Sequence, residues 1–283
     1  MKNLFAAMLA ASFLFFFQST NLTKEENTLT ALTYNIRYDN PADGADAWPK
    51  RRDFLANQLR FHTPDIFGIQ EGLQAQVAYL SEQLPAYEHV GVGRDDGRQG
   101  GEYSALFFLK QRFRLLVSGT FWLSQTSDTV SKGWDAALPR ICTFAHLKDS
   151  LSGKSLWVFN THFDHVGREA RRRSAELILL KIKEKNTKNE PVVLMGDFNA
   201  EPNEDPIAAL KRELQDARAS SEEPPFGPEG TFNGFKFHEP VRRRIDYIFY
   251  ANELKVWQYA VLSDSRDCHY PSDHLPVLAR FRF

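Results

Sequence analysis

Short apolar runs, each closing on a polar residue, alternate along this chain with stretches whose apolar positions recur at helical spacing. Strands are predicted at Leu29 to Ile36, Ile66 to Ile69, Tyr87 to Gly93, Tyr103 to Leu109, Phe113 to Leu123 and Ile141 to Lys148. Ser152-Gly153-Lys154 reads as a hairpin turn into Ser155 to Thr161. Further strands follow at Val192 to Asp197, Arg244 to Tyr250, Val256 to Ser263 and Leu275 to Phe283. Helices are predicted over Trp48 to His62, with Phe54, Leu55 and Leu59 on one face, and over Leu73 to Leu84. A long helix, Glu169 to Lys185, turns Leu177, Ile178, Leu180 and Ile182 inward, and Glu204 to Gln215 is also helical. Ser220 to Gly230, rich in Pro, Gly and Glu, reads as a mobile surface loop. The order of strands and helices favours two stacked sheets covered by helices on both outer faces.

Composition changes this picture at one end only. Residues 1–20 hold an apolar run, Leu4 to Phe17, behind Lys2 and ahead of Gln18-Ser19-Thr20. That layout is a secretory signal rather than a membrane span. Removing it leaves one domain, 21–283, with no integral membrane span, exported to the periplasm or secreted. Cys142 and Cys268 either pair or stay as thiols, and no paired-cysteine spacing suggests zinc. With 35 Lys+Arg against 36 Asp+Glu, the chain has no broad electrostatic footprint for nucleic acid. Arg168 to Arg173 and Arg242-Arg243-Arg244 are local basic patches. No segment marks a protein partner.

The chemistry gathers at strand ends. Val192-Val193-Leu194-Met195 is a buried strand that stops at Gly196 and presents Asp197 and Asn199, with Phe198 turned back to the core. A carboxylate there can take a proton from water, and a carboxamide can donate to a phosphate oxygen. The same pattern, an apolar strand ending on a polar group, recurs at Thr33-Tyr34-Asn35, Gly68-Ile69-Gln70-Glu71, Asn160-Thr161-His162, Arg244-Ile245-Asp246-Tyr247 and Ser272-Asp273-His274. Buried alone, such groups cost stability, so their convergence on one sheet edge would mark a functional site.

The ordered set Asn35, Glu71, His162, Asp197 with Asn199, Asp246, and Asp273 with His274 resembles the endonuclease/exonuclease/phosphatase superfamily, from about Leu29 to Phe283. The resemblance implies an α/β fold: a four-layer α/β/β/α sandwich of two stacked mixed sheets flanked by helices. It also implies magnesium-dependent hydrolysis of phosphoesters, with manganese as a possible substitute. Glu71, Asn35 and Asp273 are then the metal candidates, consistent with magnesium's preference for oxygen ligands. Asp197 would orient or deprotonate water, Asn199 would donate to a phosphoryl oxygen, and His274 would pair with Asp246. His162 would protonate the leaving oxygen or bind phosphate. A phosphodiesterase or nuclease, with nucleic acid as its partner, is the first reading. A phosphomonoesterase or sphingomyelinase-like enzyme on sugar, inositol or lipid phosphates is the alternative. Substrate contacts are expected from Glu102 and Tyr103 after the Gly100-Gly101 turn, from Arg140 as a phosphate clamp, and from Arg168 at the start of the long helix.

Overall fold

A computed structural model describes residues 27–283. The apolar segment read as a signal lies outside them. In chain order the elements are β1 (Thr28–Asn35), a 3-10 segment (Pro41–Asp46), α1 (Trp48–His62), β2 (Ile66–Gln70), α2 (Gln74–Gln83), β3 (Tyr87–Val90) and β4 (Leu106–Leu109). Then come β5 (Phe113–Trp122), β6 (Ile141–Asp149), β7 (Ser155–His162), α3 (Arg168–Lys185), β8 (Val192–Asp197), α4 (Asp205–Leu210), β9 (Gln215–Asp216), β10 (Asp246–Ala251), β11 (Lys255–Val261) and β12 (Val277–Arg282).

Two six-stranded sheets form, ordered β11-β12-β1-β2-β4-β3 and β5-β6-β7-β8-β10-β9. Each is mixed, with one parallel pair near its middle, β1 with β2 and β7 with β8. Leu29, Ile66, Phe108, Leu156, Val193, Met195 and Ile248 interdigitate between the sheets. Leu32, Tyr34 and Phe67 face the other way, onto Leu55, Leu59, Val77 and Leu80 of α1 and α2. Phe159, Leu194 and Phe249 cover the second outer face with Ala175, Ile178 and Ile182 of α3 and Ile207 and Leu210 of α4. The four-layer sandwich expected from the resemblance is therefore present.

Local differences from the sequence reading have physical causes. The helix expected over Glu204 to Gln215 ends at Leu210, because Gln215 and Asp216 pair with β10 at the sheet edge. Leu180 is exposed at 52%, and the buried stripe of α3 runs through Ala170, Ser174, Ala175, Ile178 and Ile182. The strand expected from Tyr103 starts only at Leu106, Tyr103 making single bridges to Gly72 and Gly93. The segment around Ser220 to Gly230 tracks β11: Glu222, Glu223 and Phe226 donate backbone N–H groups to Val256, Trp257 and Tyr259. It thereby covers an edge strand whose free backbone groups would otherwise invite pairing. Cys142 is buried and Cys268 exposed, and they do not pair. No described helix is long and apolar enough to cross a membrane.

Candidate active site

Strand register assembles the site. His162 and Asp197 are partners across the parallel β7–β8 pair, and Asp197 and Asp246 are partners across β8–β10. These polar groups therefore sit in a row at one end of the second sheet. In the first sheet Asn35 pairs with Gln70, which places Glu71 beside it. Gly196 permits the row: at φ 151° it holds a conformation L side chains rarely adopt, and a Cβ there would lie 2.0 Å from the Thr161 carbonyl oxygen. The two sheets meet at the site through Asn35, whose Nδ2 donates to Glu71 Oε1 at 2.9 Å and to Asp197 Oδ2 at 3.0 Å.

A polar cavity of about 460 Å³ opens over this junction. Glu71, His162, Asp197, Asn199, Asp273 and His274 all line it, as do Glu102 and Arg140. Asp246 sits behind His274, its Oδ2 2.9 Å from His274 Nδ1. Burial would lower the His274 pKa, but the Asp246 charge and hydrogen bond, then Asp197 and Asp273, outweigh it and push it up to about 10. His274 is therefore a cation at neutral pH, with Nε2 3.8 Å from Asp197 Oδ2. Burial, and next the neighbouring Asp246 carboxylate, push Asp197 up to about 7 against the pull of His274. Asn199 lies at φ 46° rather than extended, and its N–H donates to Asp197 Oδ1 at 2.9 Å. This Asx turn is what points both side chains at the cavity.

The acids form a fit for a hard cation. One donor atom each from Glu71, His162 and Asp197 lies within 4.8 Å of the others. Burial raises the Asp273 carboxyl and Glu71 adds to this, against the pull of His274. Carboxylates crowded in this way are relieved by a divalent cation with oxygen ligands. Asn35 faces both acids with its amide nitrogen, because its Oδ1 accepts the Arg37 N–H at 3.0 Å.

Arg140 lines the cavity, with one contact from each guanidinium nitrogen to a neighbouring side chain. Nη1 lies 3.0 Å from His162 Nδ1, Nη2 2.9 Å from His165 Nδ1, and Nε 3.3 Å from Asp164 Oδ2. A guanidinium only donates, so Arg140 presents N–H groups to both Nδ1 atoms, while His162 Nε2 lies 3.1 Å from Asn199 Nδ2 and 3.4 Å from Asp197 Oδ2. Burial and then Arg140 also hold the His162 pKa well below the usual value. Held neutral, His162 is a hydrogen-bonding group rather than a general acid. Arg140, expected as a phosphate clamp, lines the cavity and also braces two histidines. Tyr103 does not reach the cavity: its hydroxyl donates to the Arg98 carbonyl at 2.9 Å. Arg168 lines a separate crevice with Arg171, Asn203 and Glu204. Tyr103 lies behind the cluster, in a crevice shared with Glu102, Arg140 and His162, whereas the helix start at Arg168 faces elsewhere.

Several residues that shape the site carried no distinct signal in the sequence. The Thr231 hydroxyl donates to Asp246 Oδ2 and accepts from the N–H groups of Ile245 and Asp246. Phe232 packs edge-on against His274 at 5.0 Å, and Asn233 and Gly234 donate to the Asp273 carbonyl. Asp164 is a hub. It accepts the N–H groups of Ala137, Leu138, Val166 and Gly167, and so fixes the loop before β6 and the start of α3. Burial would raise its pKa, but the Gly167, Ala137 and Val166 N–H groups and then Arg140 hold it at about 2. Because the folded pKa lies below the unfolded value of about 3.9, its contribution is present above that pH and fades as pH falls toward 2. Asp164→Asn is expected to cost about 2 kcal/mol at neutral pH. The gap between the two unfolding curves should close as pH drops from about 4 to about 2. A gap independent of pH would assign the loss to shape rather than charge.

Comparison with known proteins agrees with this geometry. The Endonuclease/Exonuclease/phosphatase family profile matches residues 32–274. The solved structure of an endonuclease/exonuclease/phosphatase family protein from Bacteroides thetaiotaomicron has 39% identity and a TM-score of 0.88, over 91% of this chain and 95% of that one. A mannosyl-6-phosphatase from the same organism has 39% identity and a TM-score of 0.86, over 90% of this chain and 100% of that one. Among curated proteins, an uncharacterized protein of Acanthamoeba polyphaga mimivirus is 30% identical over 169 residues, 54% of this chain and 60% of that protein. The match thus spans less than two thirds of that relative's length. Sequence motifs, sandwich and cavity lead to one assignment: the chain belongs to the endonuclease/exonuclease/phosphatase family, whose members are phosphoester hydrolases.

Proposed function

We propose that this protein is a divalent-cation-dependent phosphomonoesterase acting on a small phosphorylated sugar, exported from the cell that makes it. The observation that carries the reading is a cavity of about 460 Å³ whose wall brings Glu71, His162, Asp197, Asn199, Asp273 and His274 together. That volume suits one small ligand. The mannosyl-6-phosphatase, matched over the whole of its own chain, supports the same substrate class. A net charge of −1 gives a polynucleotide little to follow, so the nuclease reading takes second place.

In the proposed reaction Glu71 and Asp273 would hold a divalent cation, magnesium by its preference for oxygen ligands, while Asn35 ties Glu71 to Asp197. The cation would neutralise phosphoryl charge as a Lewis acid. Asp197 orients and deprotonates the attacking water; its raised pKa makes it a stronger base. Asn199 and His162 hydrogen-bond phosphoryl oxygens as charge builds there, His274, kept protonated by Asp246, gives its proton to the departing sugar oxygen, and the proton on Asp197, 3.8 Å away, then restores it.

The test measures orthophosphate release from hexose phosphates and nicking of plasmid DNA, each with and without chelator. Release from a hexose 6-phosphate, reduced about 100-fold or more by chelator and restored by Mg²⁺ or Mn²⁺, is expected. Nicking without phosphate release from any sugar phosphate overturns the proposal. For export, N-terminal sequencing of the protein recovered outside the cytoplasm should begin beyond the apolar run Leu4 to Phe17.

A further inference from the structure

We propose that Arg37 selects phosphate monoesters over diesters by meeting the second negative charge of a terminal phosphoryl group. The inference rests on the phosphomonoesterase reading. Arg37 lines the cavity beside Tyr38, Glu71 and Asp273. Its backbone is left-handed, φ 55°, a conformation that persists in a side-chain-bearing residue only when its surroundings impose it. Here they do. Arg37 N donates to Asn35 Oδ1, and Arg37 O accepts from Arg51 Nη2 at 2.7 Å and Gln76 Nε2 at 3.0 Å. Asp43 then grips the guanidinium from the outer side: Nε to Oδ2 at 3.0 Å and Nη2 to Oδ1 at 2.9 Å. The Tyr38 ring packs beneath it at 4.5 Å.

This hold leaves Nη1 without a hydrogen-bond partner among the described residues, 4.0 Å from Glu71 Oε2. Nε is 4.0 Å from Asp273 Oδ2. A fixed cationic donor thus stands beside the acids assigned to the cation. The other arginines nearby are differently placed. Arg140 is buried at 4% exposure and turned toward Asp164 and two histidines, and Arg51 bonds the carbonyls of Asp46, Ile36, Arg37 and Pro271. Arg243 lies at the mouth with its side chain 57% exposed.

A phosphate monoester carries close to one more negative charge at neutral pH than a diester, and its extra oxygen is a strong acceptor. An immobilised guanidinium N–H is suited to that oxygen. A diester, with that position esterified, gains less from it. The discrimination therefore lies in a residue that does no bond-breaking.

The test compares para-nitrophenyl phosphate with bis-para-nitrophenyl phosphate on the cation-loaded full chain, together with the inhibition constant of inorganic phosphate. Arg37→Gln is expected to lower monoester kcat/KM about 100-fold and diester kcat/KM about 10-fold or less, and to weaken inhibition by phosphate in step with the monoester. Arg37→Lys keeps the charge and loses the two-pronged hold on Asp43, so it should recover part of the loss. Asp43→Asn, which frees the guanidinium without removing it, should lower the monoester-to-diester ratio by a smaller factor and serves if Arg37→Gln does not fold. Equal losses on both esters, with phosphate inhibition unchanged, overturn the inference while leaving the phosphomonoesterase intact. A wild-type protein that cleaves only the diester ends the underlying reading, and this inference with it.

Discussion

Asp197→Asn should lower phosphoester hydrolysis by about 10³- to 10⁴-fold while the fold stays intact. The residue sits where the strand row of the second sheet meets the first sheet, 3.0 Å from Asn35 Nδ2, 3.4 Å from His162 Nε2 and 3.8 Å from His274 Nε2. The substitution keeps the shape and removes the base. It also removes the negative charge that helps keep His274 protonated, so two contributions fall together. Stability moves little. The Asp246 carboxylate no longer faces a second buried acid, which offsets the donor conflict that an amide creates opposite Asn35 or the Asn199 N–H. In the wild type, activity should rise with pH as Asp197, pushed up to about 7, loses its proton. The cationic His274 persists until about pH 10, so any loss from its deprotonation comes much higher. Steady-state rates across pH, with a melting curve for each protein, check both points. An Asp197→Asn protein within about tenfold of wild type would remove Asp197 from the proposed role as base.

Much of the site was legible because its groups obey one rule: a polar residue at the carboxyl end of an apolar strand. Asn35, Glu71, His162 and Asp197 all follow it, and parallel pairing of β1 with β2 and β7 with β8 aligns those ends. Ligand sites in layered α/β folds lie outside such strand ends for the same geometric reason. The pairing of Asp246 with His274 was legible from residue types once the family resemblance was in hand. What the sequence hid were the partners that decide whether a charged side chain is free. Arg140 and Arg37 look alike in a string of letters. Only the fold brings His162, His165 and Asp164 onto one and leaves an N–H pair of the other facing the cavity. Arg168 looked like an anion contact from its place at a helix start, yet that start opens onto another crevice. Burial of a charge depends on long-range packing, and local spacing carries no record of it. The same holds for Asp164, whose backbone partners come from the loop at Ala137 and Leu138 as well as from its own turn.

Arg112→Ala is expected to destabilise the protein by about 3–5 kcal/mol without reducing the activity of the molecules that remain folded. Arg112, between β4 and β5, is 5% exposed and binds both sheets together. Nε and Nη2 grip Asp149 at 2.9 and 2.8 Å, at the end of β6. Nη1 lies 3.0 Å from Asp65, just before β2, and Nη2 also donates to the Thr28 carbonyl at the start of β1. Burial would lower the arginine pKa, but the Asp149 and Asp65 carboxylates outweigh it and raise it. Removing the guanidinium strands two buried carboxylates, and their remaining donors, Thr30 N for Asp65 and Leu151 N with Ser152 Oγ for Asp149, do not cancel the charge. At about 2–4 °C per kcal/mol for a domain of this size, the melting temperature should fall by roughly 10 °C. The clamp lies at the opposite end of β1 from Asn35, about 20 Å away at strand rise. Initial rates measured well below the transition should therefore match wild type. Arg112→Lys should recover little, since an ammonium cannot fork across Asp149 and also reach Asp65. A melting point within about 2 °C of wild type would mean that the two sheets are held by the apolar layer alone.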